Sequence, residues 1–405
     1  MRIDYLKAEN YRNINSAHIE FSDGVNLLYG KNGAGKTNVL EAVYLFAICK
    51  SFRTNKDNDF IMHKKEAAAI SMGFSCDYEN FNAAPYEMAI FFQQSEKKRM
   101  TYEGVAIPKV SEFIGRFRAV FFTPDHLSLV KGSPEERRKF ADMALAQIKP
   151  GYIRCLNEYM RILSQRNALL KDAKIKGSCD EALLSVYSEA LADAASVITK
   201  QRAYFCEYLE KEAAEFYKII SGSSEKLFIR YFSGEKEFPK DSEATKKRYL
   251  GLYSQNISSE IKNGATKYGP HKDDILFFIE KSGENIHQKK SFQPKFDNEE
   301  EIEAEKSTAC EFAARTFASQ GQQRSAVLAL KLAEGEIIRK LCGEYPVYLF
   351  DDVLSELDSE RKKQLLSLFE DKQVIITCCD ENAFDENQIK NKIKVDNGSY
   401  KCKKI

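Results

Sequence analysis

The sequence predicts an α/β fold in which a mixed sheet with flanking helices is assembled from both ends of the chain, with a helical arm inserted between them. A glycine-rich segment, residues 30–37, lies between an apolar strand and an apolar-faced helix. Far along the chain, residues 346–352 form an apolar run that ends in two acids. Between these segments the pattern is mostly helical from 133 to 220, so strands from the two ends must pair across an insertion.

Length and composition indicate a globular protein with a large core, because 43% of the 405 residues are hydrophobic and 30% are charged. We find neither an apolar run typical of a membrane span nor a signal-peptide pattern, and therefore expect a cytoplasmic protein without a membrane partner. The 61 Lys and Arg residues nearly balance the 60 Asp and Glu residues. Any DNA-binding surface must then be a local patch.

The predicted head combines residues 1–122 with residues 265–405. Strand patterns occur at 25–28, 67–74, 88–92 and 118–122, and the apolar face of 37–46 predicts a helix. Strand character returns at 227–232, within the predicted arm, and at 275–279, within the predicted head. Within the head, the polar and acidic residues 281–309 predict an acidic surface loop or a partly disordered linker.

Residues 123–264 are predicted to form the mainly helical arm. Ser133, Pro134 and Glu136 have the spacing of an N-cap, a first helical residue and a capping-box acid. Apolar residues then recur every seven positions in a predicted helix over 181–220, at Leu184, Leu191, Ile198 and Phe205. This spacing predicts either a short, imperfect coiled-coil seam or one helix of an ordinary bundle.

Residues 30–37 match the phosphate-loop pattern G-x-x-x-x-G-K-[ST] at every position, between a strand and a helix as the motif requires. Its glycines let backbone N–H groups turn towards a phosphate, and the helix N-terminus favours negative charge. Lys36 is predicted to reach the β- and γ-phosphates, and Thr37 to bind Mg²⁺. The predicted ATP-binding residues are Gly30, Lys31, Asn32, Gly33, Ala34, Gly35, Lys36, Thr37 and Asn38.

The acids after the apolar run at 346–350 complete this chemistry. Asp351 is predicted to hold Mg²⁺ and Asp352 to polarise the attacking water, which makes Asp352 and Lys36 catalytic. Residues 355–358 have the Ser-x-Leu-Asp pattern of a D-loop that ends at Asp358. A strand over 373–376 then leads to Thr377, which stands where ABC-type ATPases place a γ-phosphate switch. The alternative is that Thr377 only ends the strand in a turn.

Residues 319–324 provide a second predicted anion site, because Ser319 and Gly321 precede an apolar-faced helix. In ABC-type heads this signature segment binds the γ-phosphate that the other subunit holds. Ser319, Gly321, Gln322 and Asp358 are therefore predicted to act in trans, in a homodimer with ATP between its heads. These motifs together predict an ABC-type P-loop ATPase head.

The chain resembles the RecF family from end to end. The matching segments are 9–13 (ENYRN), 35–42 (GKTNVLEA), 51–53 (SFR), 122–125 (FTPD), 131–134 (KGSP), 137–138 (RR), 165–167 (QRN), 269–274 (GPHKDD), 319–324 (SQGQQR) and 351–358 (DDVLSELD). The resemblance implies a DNA repair and replication ATPase that dimerises around ATP on double-stranded or gapped DNA. Slow hydrolysis would release the dimer, and recombination mediator proteins that help to load recombinase would be partners.

The sequence departs from the family at Lys272, where arginine is usual, and in the length of 281–309. Two other classes of protein share some of the motifs, the ATPase subunit of a membrane transporter and an SMC-like protein with a long coiled coil. The long helical insertion and the unusual signature oppose the transporter, and the short seam opposes the long coiled coil. Structural scaffolding without hydrolysis is an alternative within the RecF family.

The sequence does not single out a DNA-binding surface. The candidate basic residues are Lys64, Lys65, Arg116, Arg118, Arg137 and Arg138. The last two have an alternative role as salt-bridged residues on a helix. Arg12 is a candidate for the nucleotide pocket.

Overall fold

Two six-stranded sheets, one two-stranded sheet and a set of helices form the fold. The computed structural model describes residues 1–54, 56–76, 85–222, 225–233, 241–280, 318–353 and 359–404. The strands are β1 (Arg2–Tyr11), β2 (Ile14–Glu20), β3 (Val25–Tyr29), β4 (Ala67–Ser75), β5 (Tyr86–Gln93), β6 (Arg99–Tyr102), β7 (Val105–Ile107), β8 (Ala119–Phe122), β9 (Lys226–Phe232), β10 (Asp274–Glu280), β11 (Val347–Asp351), β12 (Val374–Cys378), β13 (Asn391–Asp396) and β14 (Ser399–Lys404).

The α-helices among the described residues vary from single turns to a helix of 41 residues. They are α1 (Lys36–Ile48), α2 (Val110–Phe113), α3 (Ser128–Lys131), α4 (Pro134–Ile148), α5 (Tyr152–Lys176), α6 (Glu181–Ser221), α7 (Ser242–Gln255), α8 (Ile257–Asn263), α9 (Gln320–Cys342) and α10 (Ser359–Ser367). Short 3₁₀ turns occupy Asp57–Phe60, Pro124–Leu127 and Glu386–Gln388. The strands predicted at 25–28, 67–74, 88–92, 118–122, 227–232 and 275–279 are confirmed, as are the helices predicted at 37–46 and 181–220.

The sheet that carries the motifs has the order β14-β13-β3-β12-β11-β8. All neighbours are parallel except β13 and β14. Strands β8 and β12 are buried along their whole length, as expected for parallel strands covered on both faces. Because parallel strands end at one edge of a sheet, the segments that follow β3, β11 and β12 meet there. Asp351 accordingly lies opposite Thr377, and Tyr29 opposite Cys378.

The other six-stranded sheet is antiparallel, with the order β2-β1-β4-β5-β6-β7. The apolar side chains of β1, β4 and β5 supply a large part of its buried face, where Phe60 and Phe92 lie with ring centroids 4.8 Å apart. Among the described residues, an isolated bridge between Tyr11 and Ile61 extends the pairing beyond the named strands. The sequence predicted one mixed sheet with flanking helices. The structure has that mixed sheet and a separate antiparallel sheet.

The chain divides into two compact units. The first contains Met1–His126, Ala146–Pro150 and Leu330–Ile405, and the second contains Leu127–Leu145 and Gly151–Ala329. The second unit differs from the predicted arm, because the described residues 265–280 belong to it and not to the head. The reason is that β10 pairs antiparallel with β9 over its whole length. The predicted surface loop at 281–309 lies outside the described residues.

The long helix α6 forms the centre of the second unit. Its heptad residues Leu184, Leu191, Ile198 and Phe205 are all buried, and α6 packs against α5, α7 and β9. This packing favours the bundle over the coiled-coil alternative. Among the described residues, α6 is the one helix with the length and composition of a membrane span, but 44% of the relevant window is buried and core helices pass the same test.

Candidate nucleotide-binding site

The loop between β3 and α1 contains three glycines with positive φ. Gly30, Gly33 and Gly35 have φ values of 153°, 79° and 114°, which L side chains rarely adopt. The Gly30 N–H donates to the carbonyl of Cys378 at 3.3 Å and so attaches the loop to β12. At the start of α1 the Gly35 N-cap makes no side-chain capping bond, and the first turn contains no acid. The first N–H groups of α1 are therefore suited to an anion.

Lys36 is buried at the base of this loop, with 7% of its surface exposed. Its Nζ donates to the carbonyls of Gly30 at 2.6 Å and Lys31 at 3.1 Å. Phosphate oxygens are charged and are stronger acceptors than these carbonyls. The exposed Cys379 thiol donates to Asn32 Oδ1 at 2.9 Å and lies 3.9 Å from Lys36 Nζ. The loop thus carries one buried cation directed at its own concave side.

The Asp351 carboxylate lies beside Thr37 although the two residues are 314 positions apart. Thr37 Oγ1 donates to Asp351 Oδ1 at 2.9 Å, and Thr377 Oγ1 donates to the same oxygen at 2.8 Å. Burial raises the pKa of Asp351, while these two hydrogen bonds oppose the increase. A hydroxyl and a carboxylate are the hard oxygen donors that Mg²⁺ prefers, with water and phosphate as further ligands. The residues present therefore suit Mg²⁺.

No group of three or more His, Cys, Asp or Glu side chains within the described ranges is arranged to hold a metal. This finding agrees with a site in which the protein contributes few ligands and the nucleotide contributes others. Thr37 and Asp351 are the pair that the phosphate-loop fold brings together.

Thr377 connects the two acids at the end of β11, Asp351 and Asp352. Its hydroxyl donates to Asp351 and accepts the Asp352 backbone N–H at 3.0 Å, and the residue is only 1% exposed. Asp352 itself is exposed and has a φ of 54°. This geometry makes Thr377 a positioning residue for Asp351 and Asp352. Its sensing of a γ-phosphate stays a prediction.

Residues that the sequence analysis did not assign to the loop hold it in place. Asn13 Nδ2 donates to the Ala34 carbonyl at 3.3 Å, and Asn13 Oδ1 accepts from Asn38 Nδ2 at 2.7 Å. The Gly398 N–H, in the turn between β13 and β14, donates to the same Ala34 carbonyl at 3.1 Å. Asn13 lies within a segment that resembles the family motif, but no local pattern predicts its contact.

The Arg12 side chain forms an ion pair inside the protein. Its guanidinium donates from Nε and Nη2 to the two oxygens of Glu41, at 2.9 Å and 2.7 Å. Glu41 is completely buried on α1 and also accepts from the Tyr11 hydroxyl. This pairing explains a charged residue inside α1. In the structure Arg12 supports α1, so its predicted place in the nucleotide pocket has no support from these contacts.

The signature segment starts α9 in the second unit. Ser319 Oγ accepts from the Gln322 N–H at 3.3 Å, and Gln322 Oε1 accepts from the Ser319 N–H at 2.7 Å. This reciprocal pair is a capping box. Gly321 is exposed, and a Cβ added there would have only Ser319 Oγ nearby, at 4.0 Å. The predicted D-loop residue Asp358 lies outside the described residues.

The candidate DNA-binding residues have different surroundings. Arg137 is buried and makes a two-pronged contact with Asp274, at 2.7 Å and 2.8 Å, which supports its alternative role as a salt-bridged residue. Arg118 pairs with Glu344 at 3.1 Å. The remaining candidates are the exposed Lys64 and Lys65, Arg116 over the Tyr102 ring, and Arg138, which donates to the Asp273 carbonyl.

A phosphate loop after β3, an acid pair after β11 and a long insertion between them define an ATPase head of the ABC and SMC type. Residues 2–401 match the family described as "RecF/RecN/SMC N terminal domain". Proteins called "DNA replication and repair protein RecF" are similar over almost the whole chain. The one from Listeria monocytogenes serotype 4b (strain CLIP80459) is 37% identical over 391 residues, 96% of each chain. The chain belongs to the RecF family.

Other relatives and solved structures agree with this assignment. The RecF protein of Geobacillus kaustophilus is 36% identical and covers 93% of this chain and 92% of its own. A structure described as "recombination mediator protein RecF-ATP in RecFOR pathway" has a TM-score of 0.84 and 29% identity, with 99% and 97% of the two chains covered. An Smc head bound to a domain of ScpA has a TM-score of 0.53 at 15% identity over 100% and 98% of the chains, and shows the shared fold alone.

Proposed function

We propose that this protein binds ATP and Mg²⁺ at residues 30–38, forms a homodimer around two nucleotides and holds DNA at single-strand gaps or duplex junctions. Slow hydrolysis, stimulated by DNA, then separates the dimer. The observation that carries the proposal is the convergence of Thr37 and Thr377 on one oxygen of Asp351, beside the phosphate loop. These oxygens would hold Mg²⁺ beside the phosphates, as nucleotide binding and hydrolysis both require.

Each site residue has a separate role in the proposal. Backbone N–H groups of the loop and of the first turn of α1 surround the phosphates, and Lys36 Nζ exchanges its carbonyl partners for phosphate oxygens. Thr37 and Asp351 hold Mg²⁺, which neutralises charge on the β- and γ-phosphates. Asp352 accepts a proton from the attacking water.

The signature supplies the reason for a dimer. The N-terminus of α9 is a second anion site, while residues 30–38 already account for the phosphates of their own subunit. In a two-fold arrangement, Ser319, Gly321, Gln322 and Asp358 of one subunit complete the site of the other. Each composite site then contains Lys36 and Asp351 from one head and Ser319 from its partner.

We further propose a cytoplasmic role in recombinational repair, with recombination mediator proteins as partners in loading recombinase onto gapped DNA. Support comes from the relatives, which are called DNA replication and repair proteins, and from the solved relatives of the RecFOR pathway. The exposed Lys64 and Lys65 remain candidates for the DNA contact.

Replacement of Lys36 by alanine tests the nucleotide site. Lys36→Ala removes the ammonium that meets the phosphates, so we expect loss of ATP hydrolysis and of ATP-dependent DNA binding in a protein that still folds. Lys50→Ala, an exposed lysine just after the same helix, is the matched control and should retain both activities. Equal ATPase rates in Lys36→Ala and the wild type would refute the assignment.

A further inference from the structure

In the first turn of α9, the side-chain amide of Gln322 forms hydrogen bonds through both its oxygen and its nitrogen. Gln322 Oε1 accepts the Ser319 N–H at 2.7 Å, which closes the capping box. The other end of the amide, Nε2, donates to Glu225 Oε1, also at 2.7 Å. Since both ends are occupied, the Gln322 side chain has a defined orientation, and Ser319 is held by it.

Glu225 lies between α6 and β9 and connects Gln322 to the end of the long helix. Its second oxygen, Oε2, accepts from the Tyr217 hydroxyl at 3.1 Å. Tyr217 is completely buried in the last part of α6, and burial, followed by the Glu225 charge, raises its pKa. Hydrogen bonds therefore run from Tyr217 through Glu225 and Gln322 to Ser319.

Because Glu225 contributes a carboxylate, its hydrogen bonds to Tyr217 and Gln322 are stronger than bonds between neutral groups. A carboxylate acceptor forms shorter and stronger hydrogen bonds than a neutral oxygen. Without Glu225, the Gln322 amide would be held at one end only, and the capping box would order Ser319 less firmly. Proper placement matters here, because a phosphate-binding group misplaced by about 1 Å loses much of its effect.

We propose that Glu225 is a positioning residue, which fixes Ser319 through Gln322 for the γ-phosphate of the partner subunit and joins that site to α6. This inference rests on the proposed ATP-dependent homodimer. Because α6 has 41 residues, or about 60 Å at about 1.5 Å per residue, the Glu225 carboxylate links a nucleotide contact to a long helix of the arm.

Two substitutions of Glu225 test the contact. Glu225→Ala removes the acceptor, and Glu225→Gln retains an acceptor oxygen for Gln322. We expect Glu225→Ala to weaken ATP-dependent dimerisation, measured by sedimentation, by about ten- to hundredfold, the range for a lost hydrogen bond to a charged group. Glu225→Gln should stay within about threefold of the wild type. ATP binding to the monomer should be unchanged in both, since the loop at residues 30–38 is intact.

Exchanging the side chains of Glu225 and Gln322 tests their direct contact. Recovery of dimerisation in the double variant is a readout that a merely structural role would not give. Gln322→Glu keeps a capping-box residue but places two carboxylates in contact, so it should impair dimerisation. Adding Glu225→Gln places an amide donor at position 225 opposite the carboxylate at position 322, so dimerisation should recover. If the double variant remains as impaired as Gln322→Glu and Glu225→Ala dimerises as the wild type does, the direct contact has no role and the inference is wrong.

Ser319→Arg separates this inference from the proposed function. If Ser319→Arg fails to dimerise while Glu225→Ala dimerises as the wild type does, the proposed dimer stands and only the role of Glu225 is refuted. If Ser319→Arg itself dimerises normally with ATP, the proposed dimer is refuted, and the role of Glu225 with it.

Discussion

At the scale of single residues, Asp352 has a backbone conformation that is uncommon for a residue other than glycine. Its φ of 54° is a left-handed conformation that costs a residue other than glycine about 1–3 kcal/mol. The Thr377 hydroxyl maintains it by accepting the Asp352 N–H at 3.0 Å. A strained residue held in this way at a strand end is consistent with a catalytic role, and it limits which substitutions leave the backbone unchanged.

Asparagine is the appropriate replacement, because it tolerates the left-handed conformation and matches aspartate in size. Asp352→Asn removes the carboxylate proposed to polarise water, so we expect ATP hydrolysis to fall by about 10²–10⁴-fold. ATP should still bind, and the dimer should persist. A phosphate-release assay and sedimentation measure the two effects.

Asp371→Asn is the matched control, because Asp371 is exposed and precedes β12 at its opposite end. It should hydrolyse ATP at the wild-type rate. A wild-type rate in Asp352→Asn would mean that another group acts as the base.

Local spacing was enough to place Lys36 and Thr37 where a strand is followed by a helix, while their roles stay predictions. It did not resolve residues whose partners are distant. The patterns around Arg12 and Arg137 contain no information on Glu41 or Asp274, which only the fold brings to them. Thr377 is an intermediate case, since its position at a strand end was evident but its bonds to the two acids were not.

At the scale of elements, the hairpin of β13 and β14 supports the phosphate loop. The turn between them is the dipeptide Asn397-Gly398, in which both residues have positive φ, 45° and 80°. Such a turn is a strong hairpin signal that could have predicted this element. Its contact with the loop was not predictable, because β13 pairs with β3 only in the folded sheet.

Gly30 shows how closely the hairpin approaches the loop. A Cβ added there would lie 2.2 Å from the Val395 carbonyl oxygen, whereas a Cβ on Gly33 would meet nothing within 4 Å. Both glycines have positive φ. Gly30→Ala should therefore lower the free energy of unfolding by about 1–3 kcal/mol more than Gly33→Ala. Both substitutions strain the backbone, but Gly30→Ala also adds a steric clash. Urea denaturation of the two variants measures this difference, and equal midpoints with equal slopes would contradict it.

At the scale of the whole molecule, the two segments proposed to bind phosphate belong to different compact units. Residues 30–38 are in the first unit, and the signature start at Ser319 is in the second. The discontinuous head with a boundary at 265 stays a prediction. The compact units divide differently, because strand pairing, here between β9 and β10, keeps residues 274–280 with the second unit.

The central claim is that ATP joins two copies through Ser319 of one and Lys36 of the other. The most direct test measures ATPase activity in a mixture of Ser319→Arg and Lys36→Met subunits. Ser319→Arg adds bulk and charge at the signature, and Lys36→Met removes the phosphate-binding ammonium, so each variant alone should be inactive. A mixed dimer retains one intact composite site, with Lys36 from the first variant and Ser319 from the second.

We therefore expect the mixture to hydrolyse ATP at a reduced rate that is clearly above that of either variant alone. Sedimentation of Ser319→Arg alone should show an ATP-bound monomer. If Ser319→Arg alone dimerises with ATP as the wild type does, or if the mixture is as inactive as its components, the nucleotide is not shared between two heads and the account is wrong.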